Sequence, residues 1–370
     1  MERQLPSNIV VNASYIGKKG THLPFSGSNH LDILGPWVES LPATAPDPNN
    51  PCATPSIPCL ASYVNNPFSG IITNPNSTLS NPQVQGAQLE VPYPQYDVIN
   101  SGGVQTDVQM IANSTFHALQ LSAEKHFSNG LEFLVNYTWS KSIDNSSVAD
   151  DNVTWTGSFT SLQDPNKPYL ERSLSTFDIP SVLKFSYSYQ LPFGRGKAFL
   201  GGMPRALDAV IGGWTTTGIW QVADGRPVTI TLSGGGKPIP TYGNQRPNIT
   251  GRLKRNYGPD WVDNFFSNPD VLQAPAPYTL GNEPRATADV RTPLSFTSDL
   301  SVIKQFPLSP VHEGVRMELR LEAQNAFNHP LFSVSTPNGT LVVGSGSFGQ
   351  ITSMTPVGPR QMQLAVKITF

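Results

Sequence analysis

Long apolar runs are missing from this chain, and both cysteine and charge are scarce in it. No stretch approaches the ~18 consecutive apolar residues of a membrane-crossing helix, which excludes a helical membrane protein. A closed β-barrel stays open, because its strands cross in segments of about ten residues that alternate apolar and polar positions. Only 2 cysteines occur in 370 residues, too few for a disulfide-stapled scaffold. Charged residues make up 14% of the chain and sum to a net charge of -2. With no bulk positive field, nucleic acid is not an expected partner. The start, MERQLPSNIV, carries no basic patch, apolar stretch or small-residue cleavage site of the kind a signal peptide needs. What is abundant is punctuation: 31 Gly and 35 Pro suit turns and long loops and disfavour helix interiors. The composition points to an all-β chain.

Period-2 alternation then locates the strands. In TFHALQLSAEKHF, Leu119, Leu121, Ala123 and Phe127 fall on one face and Gln120, Ser122, Glu124 and His126 on the other. Ser128, Asn129 and Gly130 supply a tight turn, and LEFLVNYTWS resumes with Leu131, Phe133, Val135, Tyr137 and Trp139 sharing a face. The same pattern sets Leu183, Phe185, Tyr187 and Tyr189 against Lys184, Ser186 and Ser188. It also sets Val315, Met317, Leu319 and Leu321 against Arg316, Glu318, Arg320 and Glu322. Eight long strands are expected, at 8–17, 115–127, 131–140, 181–191, 214–232 with a bulge at Asp224 to Pro227, 296–306, 315–327 and 361–370.

Their connections alternate between long (18–114, 141–180, 233–295, 328–360) and short, so every long loop falls on one side of an up-and-down sheet. Membrane barrels have short periplasmic turns and long extracellular loops, and structureless loops of such length fit poorly in a compact soluble domain. The expected fold is therefore an all-β, antiparallel up-and-down transmembrane β-barrel segment with long extracellular loops. Its apolar faces would touch outer-membrane lipid, and Arg316, Glu318, Arg320 and Glu322 would line the lumen, pairing with neighbouring strands. Tyr137, Trp139, Tyr187, Tyr189, Trp214 and Trp220 would form an aromatic girdle, rings in acyl chain and polar tips among headgroups. The alternative is a secreted β-sandwich or solenoid used for adhesion, in which the apolar face is an ordinary core.

The last ten residues, QMQLAVKITF, put Met362, Leu364, Val366, Ile368 and Phe370 on the apolar parity and end on an aromatic. This resembles the C-terminal β-signal by which outer-membrane proteins are recognised and inserted. Together with NASYIGKKGTHL, ALQLSAEKHFSNGLEFLVNYTWSKSID, FSYSYQLPFGRGK, GGWTTTGIWQVADGRPVT, LEAQNAFNHPLF and FGQITS, it is similar to the C-terminal barrel of TonB-dependent receptors, specifically the Oar-like group. The resemblance implies a barrel of about 22 strands, plugged by an N-terminal globular domain, that takes up a large nutrient with energy from the inner membrane. Residues 1–370 would then be the terminal portion of such a barrel, without plug domain or signal peptide. Its partners would be lipid, the barrel-assembly machinery and an unknown large ligand, with the plug and TonB reached only through the intact receptor.

Other motifs carry less. TLVVGSGSFG contains G-x-G-x-x-G, but QITSMTPVGPR, with Pro356 and Pro359, has no helical period to present amides to a pyrophosphate. GGGK at Gly234 to Lys237 lacks a P-loop's spacing and reads as a flexible loop. SIDNSSVADDN, with Asp144, Asp150 and Asp151, lacks the ordered Gly and Glu of a calcium loop and reads as solvated. The 6 histidines show no tight ligand spacing. No catalytic set is apparent, so neither enzymatic activity nor a cofactor is expected. Cys52 and Cys59, in CATPSIPC of the first long loop, are expected to form a disulfide in an oxidising surface environment.

Overall fold

Alternating strands dominate the computed structural model, which describes residues 1–25, 29–41, 60, 62–101, 103–106, 109–147, 162–233, 239, 241–243, 245–276, 278–307, 316–334, 341–354 and 358–369. Nine strands follow one another as β1 (Glu2–Leu5), β2 (Ile9–Phe25), β3 (Gln109–Ser128), β4 (Leu131–Asp144), β5 (Ser181–Gln190), β6 (Trp214–Ala223), β7 (Ser295–Pro307), β8 (Arg316–Gln324) and β9 (Gln361–Thr369). Each pairs antiparallel with its sequence neighbour, and Ser173–Leu174 adds a tenth strand beside the end of β4. The sheet is open, with β1 and β9 at its edges. β1 is an addition to the expected set.

Register carries each strand's alternation across the whole sheet, because residues directly opposite one another share a face. Leu121 faces Tyr137, which faces Leu183, which faces Val222. Further along, Thr216 faces Val302, Val302 faces Leu321, and Leu321 faces Leu364. On the other side Ser122, Asn136, Lys184 and Gln221 form one row, and Ser301, Glu322 and Gln363 another. The result is a wall with one apolar face and one polar face. Two tight turns hold this register at one rim. Asn129 and Gly130 adopt φ of 52° and 78°, and Ser7 and Asn8 adopt 65° and 58°, the left-handed conformations that two-residue hairpins require.

The expected strand 214–232 is not continuous. β6 stops at Ala223, and beyond it Pro227–Val228 pairs with Thr287–Arg291 while Thr231–Leu232 runs parallel to Val342–Val343. The cause lies in ADGRP: Pro227 has no N–H for the ladder. Nor are the long loops structureless. They pack on one another at the far rim around two apolar cores. One gathers Leu34, Val38, Leu60 and Val91 with Ile239 and Tyr242; the other gathers Val228, Ile230, Leu253, Phe265, Phe266 and Leu341. The described loop segments thus form a folded cap. Cys52 and Cys59, Gly234 to Lys237, Asp150 and Asp151, and Phe370 lie outside the described residues. Among described residues, Gly349 ends a turn and is followed by irregular chain and a short strand, Ser353–Met354, rather than by a helix.

Candidate functional site

The polar face supplies the first surface. Glu124, Glu132, Asp299 and Glu322 border a depression of about 630 Å³, with Leu134 and Ile219 among its apolar lining residues. Gln120, Asn136 and Lys184 border a second of about 550 Å³. Arg316, Glu318, Arg320 and Glu322 all lie on this face, as alternation requires, but their pairing differs from expectation. Arg320 meets Glu318 and, at 3.5 Å, Glu322, neighbours on its own strand. Same-face residues on one strand are about 6.6 Å apart along it, within reach of a guanidinium. The cross-strand contact is made instead by Gln305, whose Nε2 donates to Glu318 at 3.2 Å.

On the apolar face the aromatic residues divide between both rims. Tyr187, Tyr189 and Trp214 lie toward the short-turn rim, where Tyr189 faces Leu131 and Thr216. Tyr137 and Trp139 lie toward the loop rim, joined by Tyr15, whose hydroxyl contacts His117 Nδ1 at 2.6 Å. Polar tips are satisfied at both levels: Tyr137 to Ser181 Oγ at 3.1 Å and Trp214 Nε1 to the Val210 carbonyl at 2.9 Å. Trp220 departs from the girdle pattern. Its ring packs edge-on against Phe185 and Phe327, each at 5.9 Å, and its buried Nε1 has no partner among the described residues, so it serves packing and not a wet rim. Of the terminal strand, Leu364, Val366 and Ile368 stand exposed on the apolar face at 68%, 60% and 49%.

Three arginines bind the cap to the strand ends. Arg246 Nη1 donates to both Glu171 oxygens at 2.8 and 3.0 Å, and its Nε donates to the Glu283 carbonyl at 2.7 Å. Arg285 Nη2 meets the Asp144 carboxylate while its Nη1 donates to Ser147 at 2.9 Å and its Nε to the Glu171 carbonyl at 3.1 Å. Arg291 Nη2 donates to Asp178 at 2.7 Å. The arginines come from the loop after β6, the acids from the end of β4 and the loop after it. Asp144, expected in a solvated loop, is therefore buried in an ion pair. Gln163 extends the junction through Nε2 to the Gly281 carbonyl at 2.7 Å. Gly281 has no substitute here, since a Cβ would lie 1.8 Å from the Arg246 carbonyl oxygen. Lys167 adds a bridge to Glu39 of the first loop, which holds its pKa above the ordinary lysine value.

Beside this junction the Glu283 side chain is buried, at 1% exposure. Burial raises its pKa to about 7, with Asp289 adding repulsion and Thr287 and Arg246 opposing. An acid whose folded pKa is raised is bound by its proton more tightly in the folded state. Its stabilising contribution is complete below about pH 4.5 and lost as pH rises toward 7. Glu283→Gln should thus match the parent near pH 4.5 and protect cap amides increasingly above it, approaching roughly 3 kcal/mol by pH 8. Hydrogen exchange of parent and variant at each pH measures this; a difference that does not change with pH would dismiss the buried proton.

Short turns at one rim, packed loops at the other, aromatic residues at both and a two-faced antiparallel wall between them define a membrane-spanning β-barrel segment. Residues 1–363 match the family described as outer membrane beta barrel domain, and the chain belongs to that family. Its location is the outer membrane, and the reading as a secreted sandwich is set aside. No helix among the described residues is long and apolar enough to cross a membrane. A solved structure, the outer membrane transporter YddB from Escherichia coli, is similar at 8% identity and a TM-score of 0.37, over 99% of this chain and 31% of that one. The chain thus spans about a third of that transporter's length. Among curated proteins no sequence match is found.

Sequence reasoning located both faces of the wall and missed the arginine junction. The signal was faint: GNEPRATADVR places two arginines in a loop of a chain that is only 14% charged.

Proposed function

We propose that this chain is the C-terminal part of the barrel of a TonB-dependent receptor of the Oar-like group, and that the intact receptor takes up a large nutrient at the cell surface. The observation that carries this reading is the folded cap, held by Arg246, Arg285 and Arg291 at the loop rim of a polar-lined wall. Such a cap offers a large, preformed surface to a ligand, and the polar wall offers a wetted route below it. In this reading the apolar face contacts lipid, a plug domain occupies the lumen, and TonB acts through that plug. The cap and wall bind and admit a solute without altering it, so the receptor is not an enzyme. Cells carrying the intact receptor should retain a labelled peptide or glycan at the surface with or without TonB and internalise it only with TonB. Internalisation independent of TonB would overturn the proposal.

In the same reading Leu364, Val366, Ile368 and Phe370 form the β-signal read by the assembly machinery. One terminal ring is worth about 1.5–3 kcal/mol even if fully buried, which a large barrel survives losing. Deleting Phe370 from the intact receptor should therefore lower the amount of folded protein in the outer membrane while the molecules that fold keep normal heat resistance. Heat-modifiable gel mobility reads both quantities, and an unchanged amount of folded receptor would remove the β-signal assignment.

A further inference from the structure

The segment between β5 and β6, residues 191–213, is the longest connection at the short-turn rim and ends in a helix, α1 (Arg205–Ile211). We infer that this segment is an anchor in the periplasmic leaflet of the membrane, with α1 and its neighbouring phenylalanines seated at the headgroup boundary and its basic residues on anionic phospholipid. The inference rests on the reading of the apolar face as lipid-facing and goes beyond it.

Geometry places the segment on the outside of the barrel wall and not beneath the lumen. Lys304 lies on the apolar parity of β7, directly opposite Trp214. It is buried, and its Nζ donates to the Val210 carbonyl at 3.2 Å and to the Gly212 carbonyl, at the C-terminal end of α1. Its Nζ lies 5.0 and 5.1 Å from the ring centres of Trp214 and Phe306. Trp214 Nε1 donates to the same Val210 carbonyl at 2.9 Å. Two side chains of the apolar face therefore clasp the helix end. A cation at helix C-terminal carbonyls is favourable there, and it lets a lysine occupy an otherwise apolar face at the boundary, where its charge is met.

The clasped segment presents what such a boundary takes. Phe199, Leu200, Leu207 and Val210 are exposed at 57%, 54%, 46% and 66%, with Leu207 and Val210 three residues apart on one side of α1. The rings of Phe193 and Phe199 pack 5.7 Å apart, tilted by 35°, and extend the apolar surface. Arg195, Lys197 and Arg205 have no acidic partner among the described residues. The nearby Asp208 is turned inward to accept from the Arg195 backbone N–H at 2.8 Å. Exposed apolar residues flanked by unpaired cations at the level of an aromatic rim make an interfacial lipid site.

The test uses the intact receptor refolded into phosphatidylethanolamine–phosphatidylglycerol vesicles, with its cysteines, Cys52 and Cys59 among them, replaced by Ser. A fluorophore is placed on Leu207→Cys or, on the apolar wall, Leu121→Cys. Lipids brominated near the headgroup should quench the Leu207 probe more than lipids brominated near the chain end. If the Leu121 probe is quenched and the Leu207 probe is not, the anchor is overturned and the barrel reading survives. If neither is quenched, both fail. Stronger quenching of Leu207 by chain-end bromine overturns the interfacial depth. Arg195→Gln combined with Lys197→Gln should reduce phosphatidylglycerol retained after detergent extraction, read by mass spectrometry, by about tenfold. Unchanged retention overturns the headgroup contact.

Discussion

Phe185→Arg is expected to remove most of the folded barrel from the outer membrane, while Arg320→Gln leaves its amount close to that of the parent. Phe185 lies on the apolar face of β5, opposite Val135 and Trp220, and its ring stacks on Tyr187 at 5.4 Å and meets Trp220 edge-on at 5.9 Å. An arginine on a lipid face costs about 2–4 kcal/mol at the midplane, and removing the ring from Tyr187 and Trp220 adds about 0.5–1.5 kcal/mol for each. Arg320 differs in every respect. It lies on the polar face, its side chain is 41% exposed, and its partners sit on its own strand. Exposed pairs of this kind are worth about 0–1 kcal/mol. Folded and unfolded fractions separated by heat-modifiable mobility give the comparison. Equal tolerance of both substitutions would reverse the assignment of the two faces.

Arg285→Ala should open the cap without unfolding the wall. The guanidinium is 6% exposed and its partner Asp144 only 3%, so truncation strands a buried carboxylate whose remaining donor is Ser147 at 2.8 Å. Breaking a buried pair by removing one member costs about 3–5 kcal/mol. The loss falls on the junction between the two loops, because the strand ladder below Asp144 has its own register with β3 and β5. Hydrogen exchange should accelerate in residues 162–178 and 278–291 and stay slow in β4 and β5. Replacing both members, Asp144→Leu with Arg285→Met, should restore much of the protection, since similar-sized apolar groups often substitute for a buried pair without loss. Unchanged exchange in Arg285→Ala would show that the junction is held by other contacts.

The wall was legible in the sequence because its determinant is local. A period of two, read over ten residues, assigns each side chain to a face, and Asn129-Gly130 announces its own turn. Joining those strands needed only neighbour-to-neighbour pairing. The cap was not legible for the opposite reason. Asp144 and Arg285 have no periodicity to betray them, and their meeting depends on how four loops cross one another. The expected end of β6 failed where the ladder passes into the cap: Ala223 is followed by a proline-bearing segment whose apolar residues, Val228 and Ile230, belong to a core above the sheet. Alternation cannot distinguish those residues from a continuing strand. Trp220 was misjudged because residue type alone does not tell a packed indole from a rim indole.

The arginine junction also fixes an order of events. Its three pairs join residues 75, 113 and 141 positions apart, and the parallel pairing of Thr231–Leu232 with Val342–Val343 encloses β7 and β8 within its span. Contacts of such high sequence separation are slow to form, since chain closure must precede any gain from them. Hairpins such as β3–β4 need no such wait. The strands can therefore find their register first, and the loops meet only after the wall has brought their ends together. Until then Leu34, Phe265 and the other core residues of the cap are uncovered, so the interval between strand pairing and cap closure is when this chain most needs a chaperone.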